Sequence, residues 1–371
     1  MDYKVVHLTT AHPRYDTRIF VKMCCSLAKE NYDVSLIVAD GKGDEINSSV
    51  NIIDVGSATG NRILRMTKTV ERAFKQALLL DADLYHLHDP ELLQVASKLK
   101  KNGKKVIFDA HEDLPVQILS KPYLNPVVAK GVSVLARFYE KWVCSRIDGV
   151  IAATPFIRDK FSKINANTID VNNFPRLEEF SEEPSRDFTN RKSCCYIGGI
   201  TKVRGIIENV QALEHVNDGI ELLLAGSFLE KNIRANVTEL NGWAKVKELG
   251  FLNRNGVRSV LQQSFVGLVT LHPIRNYQDA LPVKMFEYMA SGIPVIYTDI
   301  EYWRSIVEPE ACGIAVDPFD LKAVANAIND LAENLELAKE MGSRGRKAVL
   351  EKYNWSVEVK KLIDFYKDVL S

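Results

Sequence analysis

Short β-rich runs alternate with amphipathic stretches along this chain, and the alternation runs through twice. The first series places β-rich runs at 4–8, 34–39, 51–55, 84–88, 105–109 and 150–153, with helical patterns at 18–31, 61–80, 91–101 and 127–146. A polar stretch at 176–192, carrying Glu178-Glu179 and Glu182-Glu183-Pro184-Ser185, breaks the rhythm and reads as a linker. A second series then follows at 193–197, 220–225, 246–249, 265–271, 294–297 and 313–316. A helix between two strands returns the chain to the same end of the sheet, so the strands run parallel. The pattern predicts an α/β protein of two doubly wound, Rossmann-like domains facing a cleft. The expected boundaries are 1–176 and 177–355, with a final helix from 356 that packs back on the first domain.

A length of 371 residues suffices for two cores. Lys and Arg number 48, as do Asp and Glu, so no basic footprint points to nucleic acid. The six cysteines include the adjacent pairs Cys24-Cys25 and Cys194-Cys195, in no Cys-x-x-Cys or Cys/His arrangement. Neither zinc nor a disulfide framework is signalled, and reduced, buried thiols are expected. The opening residues read as a strand and no apolar stretch is long enough to span a bilayer, so a cytoplasmic location is expected.

The segment from Asp279 to Pro294 carries the sharpest signal. Pro282 suits a first helical position, and Gly292 followed by Pro294 suits a helix stop before a strand. At helical spacing Lys284, Glu287, Tyr288 and Ser291 share a polar face opposite Met285, Phe286 and Met289. A polar face beginning at a helix start suits an anionic ligand, with Glu287 available to two ribose hydroxyls. An exposed helix with a Lys284–Glu287 pair satisfies the spacing equally well. Upstream, Tyr196-Ile197-Gly198-Gly199 ends a strand in two glycines, and a helix begins near Arg204. Such glycines admit a pyrophosphate close to the backbone, or mark only a turn.

With both pieces in one domain, the chain resembles glycosyltransferase family 4, retaining nucleotide-sugar enzymes of the GT-B architecture. Its signature here is Lys284-x-x-Glu287-Tyr288-Met289-Ala290-x-Gly292-x-Pro294. The resemblance implies Glu287 on the ribose and Asp279, with nearby backbone amides, on the transferred sugar. It places Gly198, Gly199 and Arg204 at the diphosphate. The family's usual Arg after the first glycine is Gly199 here, and Lys284 is the candidate replacement cation. Gly226-Ser227 and Gly250-Phe251-Leu252 fall where the nucleobase sits, although Phe251 also reads as a core aromatic.

Two strand ends of the first domain bear histidines, Tyr85-His86-Leu87-His88-Asp89-Pro90 and Phe108-Asp109-Ala110-His111-Glu112-Asp113. His86 and His88 share one side of a strand, as metal ligands or as satisfied packing. By resemblance, His111 lies near the reacting sugar, and Asp109 and Glu112 are candidates to orient it. The segment from Thr9 to Arg18 holds Arg14, Asp16 and Arg18, read either as contacts to donor phosphates or acceptor, or with Asp16 as a helix cap.

The implied reaction moves a hexose-type sugar from a UDP- or GDP-sugar to a glycan or lipid-linked acceptor, with retained anomeric configuration. No metal and no cofactor beyond the donor itself are expected. A nucleotide-sugar 2-epimerase or a non-catalytic nucleotide-sugar-binding subunit fits the same motifs. Finally, Arg62, Arg65, Lys68, Arg72 and Lys75 fall on one side of the 61–80 helix, a solvated face or a peripheral contact with anionic membrane.

Overall fold

The computed structural model describes residues 3–57, 65–119, 125–180 and 188–371. It divides into two compact units, Met1–Asn173 with Trp355–Ser371, and Phe174–Asn354.

The first unit is built on β1 (Lys4–Leu8), β2 (Asp33–Val38), β3 (Glu45–Asn47), β4 (Val50–Asp54), β5 (Leu84–Leu87), β6 (Lys105–Ala110), β7 (Gly149–Ala152) and β8 (Thr168–Asp170). Their order across the sheet is β3-β4-β2-β1-β5-β6-β7-β8. All pairs are parallel except β3–β4. The apolar runs of β5 and β7 are buried along their whole length, because helices cover both faces of the sheet. The short edge strands β3 and β8 were not expected from the sequence. Their Glu-Ile-Asn and Thr-Ile-Asp carry too few apolar residues to stand out from loop.

The second unit carries β9 (Ser193–Ile197), β10 (Glu221–Ala225), β11 (Val246–Gly250), β12 (Ser264–Val269), β13 (Val295–Thr298) and β14 (Gly313–Val316). They form a parallel sheet ordered β11-β10-β9-β12-β13-β14. After β14 come two helices, Leu321–Glu333 and Leu335–Glu351. Asn334 separates them and caps the second, its side chain accepting from Leu337 N at 3.0 Å.

The units change over three residues before the expected boundary. Phe174 packs its ring 4.7 Å from that of Phe286 and 5.5 Å from that of Tyr353, inside the second core. Asn173, in contrast, accepts from Lys22 Nζ through its side chain at 2.5 Å, within the first unit. The Trp355–Leu370 helix closes the first unit. Its Leu362, Phe365, Tyr366 and Val369 join Val5, Leu84, Ile107 and Ile151 in one apolar cluster on the sheet. Trp355 Nε1 donates to Ser26 Oγ at 2.9 Å. Of the expected basic helix at 61–80, residues 61–64 lie outside the described residues. Further along it, Arg72 donates to Ser57 O at 2.7 Å and Lys75 pairs with Glu71 at 3.0 Å.

Glu358, buried in that closing helix, accepts from Asn172 N at 2.6 Å and from Asn172 Nδ2 at 3.3 Å. Glu358→Ala strands the buried Asn172 N–H, while Nδ2 keeps Asp170 at 2.8 Å, and should cost about 1–3 kcal/mol of stability. Calorimetry on the full chain should show a lowered melting temperature, with Glu358→Gln intermediate.

Candidate active site

In the second unit β9 lies between β10 and β12, so the strand order reverses at its carboxyl end, where open α/β sheets bind ligands. The chain leaves β9 through Gly198, at φ 129°, and Gly199. Gly226, after β10, backs directly onto this turn: a Cβ there would stand 1.9 Å from Gly198 O. Two strand-end turns therefore meet backbone to backbone, which only glycine allows. Arg204 folds back over the turn, its Nη1 donating to Gly199 O at 3.0 Å beside the Tyr196 hydroxyl at 2.9 Å.

Lys284 reaches the same turn from the Val283–Ala290 helix. Its Nζ lies 3.6 Å from the Tyr196 ring centroid and would be 3.4 Å from a Cβ at Gly198. The ammonium is out of solvent with no hydrogen-bond partner. Burial, reinforced by the neighbouring Arg204, pulls its pKa down to about 7. Holding an ammonium so without a partner is costly, and an anion beside it would offset that cost.

The polar face expected for this helix is only partly formed. Tyr288 is fully buried and its hydroxyl accepts from Ile197 N at 2.9 Å, tying the helix to the end of β9. Gly267 makes room for that ring, since a Cβ there would stand 2.2 Å from it. Glu287 does not pair with Lys284. It accepts instead from Arg254 Nη1 at 2.9 Å, and Arg254 also reaches Glu179 at 3.3 Å. Sequence reasoning missed Arg254; its signal was a cation opening the helix after Gly250-Phe251-Leu252. Phe251 is no core aromatic, being 83% exposed just past β11. Asp279 follows the Arg275–Gln278 turn of helix, its carboxylate 3.5 Å from Arg275.

The first unit has its own strand-end cluster, where order reverses between β1 and β5. The carboxylate of Asp109, wholly buried, accepts from Arg18 Nη2 at 2.7 Å and Nε at 2.9 Å, from His111 Nε2 at 3.0 Å and from His88 Nδ1 at 3.2 Å. Burial opposes its charge, but Arg18 and His111 outweigh that and hold the carboxyl well below the usual range. Hydrogen-bond partners assign the tautomers inward from there. His88 gives Nδ1–H to Asp109, so its Nε2 accepts from His7 Nδ1 at 2.8 Å. His7 Nε2 then accepts from the Tyr366 hydroxyl at 3.2 Å, whose oxygen accepts from His86 Nδ1 at 2.6 Å. Burial keeps His7, His86 and His88 below the ordinary histidine pKa, in line with this neutral chain. By spacing, His7, His86 and His88, or His88, Asp109 and His111, have ligand atoms close enough to hold a metal ion. Asp109 orients His111 through Nε2, so that bond does not use Nδ1. Glu112, also expected to orient His111, instead accepts from Gln117.

Arg14 and Arg18 correct the sequence reading. Arg18 is spent on Asp109 and on Val171 O at 2.7 Å, and Arg14 on Asp40 at 2.6 Å and Glu45 at 3.0 Å; both are buried. Asp16 takes the capping role, accepting from Arg18 N at 2.8 Å and Ile19 N at 2.9 Å. Close by, Asp89 accepts from Thr10 N at 2.5 Å and pairs with His12 at 2.8 Å.

The family model for Glycosyltransferase Family 4 matches residues 17–171, and that for Glycosyl transferases group 1 matches residues 178–348. The chain is a glycosyltransferase of the family 4 type. This glycosyltransferase is 22% identical over 355 residues to the phosphatidyl-myo-inositol mannosyltransferase of Mycobacterium leprae, covering 92% of its own length and 87% of the relative's. Its fold matches sucrose-phosphate synthase from Thermosynechococcus elongatus with a TM-score of 0.79 at 20% identity, over 99% of both chains. It matches Anabaena HepE in complex with UDP-glucose with a TM-score of 0.73 at 15% identity, over 99% of this chain and 100% of that one. The fold is GT-B.

Two measurements check this chemistry. Lys284→Met removes a buried cation from an apolar cradle, so the melting temperature should hold or rise while affinity for a nucleoside diphosphate falls at least about tenfold. In the parent enzyme at pH 8, binding should take up close to one proton, because the anion returns Lys284 to its charged form; calorimetry in buffers of different ionisation heat reads this, and the variant should show none. Independently, nitrogen-15 NMR at neutral pH should find His7, His86 and His88 as Nδ1–H tautomers.

Proposed function

We propose that this glycosyltransferase takes a hexose-type sugar from a UDP- or GDP-sugar and passes it, with retained anomeric configuration, to a glycan or lipid-linked acceptor. The observation that carries the donor half is the unpartnered Lys284 ammonium beneath the Gly198-Gly199 turn, with Arg204 folded over the same turn. On this reading the second unit is the donor-binding one and the first serves the acceptor. The nucleoside diphosphate lies against Gly198 and Gly199, Glu287 accepts from the ribose hydroxyls, Phe251 flanks the base and Asp279 meets the sugar. That HepE is known with UDP-glucose bound supports this class of donor.

The leaving diphosphate gains negative charge as the glycosidic bond breaks. Lys284, Arg204 and the backbone amides of the glycine turn stabilise that charge more than they stabilise the ground state, which is how fixed charges accelerate a reaction. The departing phosphate oxygen takes the acceptor's proton, so no separate general base is required. In the first unit, His111 offers Nδ1 to a substrate hydroxyl. An acceptor in a lipid surface fits the name of the mycobacterial relative, a phosphatidyl-myo-inositol mannosyltransferase.

A thermal-shift screen of UDP- and GDP-sugars should give one donor that raises the melting temperature in proportion to occupancy. With that donor, Glu287→Gln should lower turnover by about a hundredfold or more while the fold persists. Proton NMR of the product should show the donor's anomeric configuration, and a chelator should leave the rate unchanged. A screen in which no nucleotide sugar shifts the melting temperature would overturn the donor assignment.

A further inference from the structure

The Pro126–Cys144 helix is folded with its apolar residues outward. Among its buried residues are Ala129, Ser133, Glu140 and Val143, a stripe that includes a hydroxyl and a carboxylate. Ser133 Oγ donates to Pro115 O at 2.8 Å, and Glu140 pairs with Lys160. The large apolar side chains lie on the other side. Val127 is 80% exposed, Leu135 70%, Phe138 67% and Trp142 48%, with Val128, Val132, Val134 and Tyr139 exposed around them. At helical spacing these eight span an arc of roughly 160° centred near Leu135, Phe138 and Trp142. Scattered single apolar residues on a surface need no explanation, whereas a continuous face of this size marks an interaction.

Charge identifies the occupant. Lys130, Arg137 and Lys141 are exposed along one border of the apolar arc, and Arg146 follows just past the helix with its guanidinium 4.9 Å from the Trp142 ring. Glu140 is the only acid in the helix, and it is buried. In a protein of formal net charge 0, this face is locally cationic. A symmetric pairing of two copies through it would bring no carboxylate from either helix to meet those cations. A bilayer surface bearing anionic headgroups answers both parts, taking the apolar arc into its acyl boundary and the cations at its phosphates. Tyr139 and Trp142, apolar bodies with polar tips, suit that boundary.

We infer that the Pro126–Cys144 helix is a membrane-docking surface that lays its Val127-to-Trp142 face into the interface of an anionic lipid bilayer. Among the described residues no helix is long and apolar enough to cross a membrane, so this contact is peripheral. It is a different surface from the basic 61–80 helix considered from the sequence. Its use rests on the lipid-linked acceptor proposed above, since docking would hold the enzyme where such an acceptor lies; the lipid contact itself is testable without donor or acceptor.

The test uses the full chain and two vesicle preparations, phosphatidylcholine alone and phosphatidylcholine with roughly a third phosphatidylglycerol. The parent protein should co-sediment with the anionic vesicles and much less with the neutral ones, with its tryptophan emission moving to shorter wavelength. Leu135→Glu/Phe138→Glu, at exposed positions, should keep the melting temperature and lower the partition coefficient at least about tenfold. Lys130→Glu/Arg137→Glu/Lys141→Glu should remove the preference for anionic vesicles. Absence of binding by the parent, or equal binding by the Leu135/Phe138 variant, overturns the inference. So does a parent dimer that this variant dissociates in light scattering, which would assign the face to a second copy. The nucleotide-sugar thermal shift, measured on the same variant, should persist; its loss in parent and variant alike would count against the donor reading and leave the lipid result standing.

Discussion

Parallel strands impose the constraint on which this enzyme is built. Every strand in such a sheet ends on the same edge, so whatever follows the strands is gathered there without any one loop having to be long. In the second unit that edge collects the Gly198 turn, Gly226 and the approach of Lys284; in the first it collects Asp89, Asp109 and His111. Residues scattered through the sequence become neighbours because the order of strands reverses at β9 and at β1.

The two edges handle buried charge in opposite ways. In the first unit it is saturated: Asp109 accepts from Arg18, His88 and His111, and behind it His86, Tyr366 and His7 donate in one direction toward His88. Groups so thoroughly paired are rigid, and the result is one fixed orientation for His111. In the second unit the charge is left open. Lys284 has a ring and a glycine turn beside it but no acceptor, a costly arrangement for a buried cation.

Much of this was legible beforehand. β1, β9 and β14 fall where the apolar runs put them; β1 and β9, central in their sheets, have little but apolar composition to show. The Val283–Ala290 helix and the glycine turn were readable as motifs. What a helical wheel cannot show is which side of a helix faces the protein. Tyr288 and Lys284 were grouped with the polar face, yet the space over Gly267 and Gly198 draws both inward. Arg14 and Arg18 looked like ligand contacts, since the carboxylates that claim them, Asp40 and Asp109, lie far along the chain. The Pro126–Cys144 helix was recognised as a helix but not as one turned outward, because its apolar count is that of an ordinary core element.

The Trp355–Leu370 helix has a further consequence, for the order in which the protein assembles. It covers the sheet of the first unit, yet it follows the whole of the second unit in the chain, and Tyr366 bonds to His86 across 280 residues. During synthesis the second unit is complete while the first still lacks one of its helices and shows an apolar face with Val5, Ile107 and Ile151 uncovered. The usual order of domain folding, amino-terminal first, is therefore reversed at the final step. Tyr366 can complete the histidine chain only once the second unit has already been made.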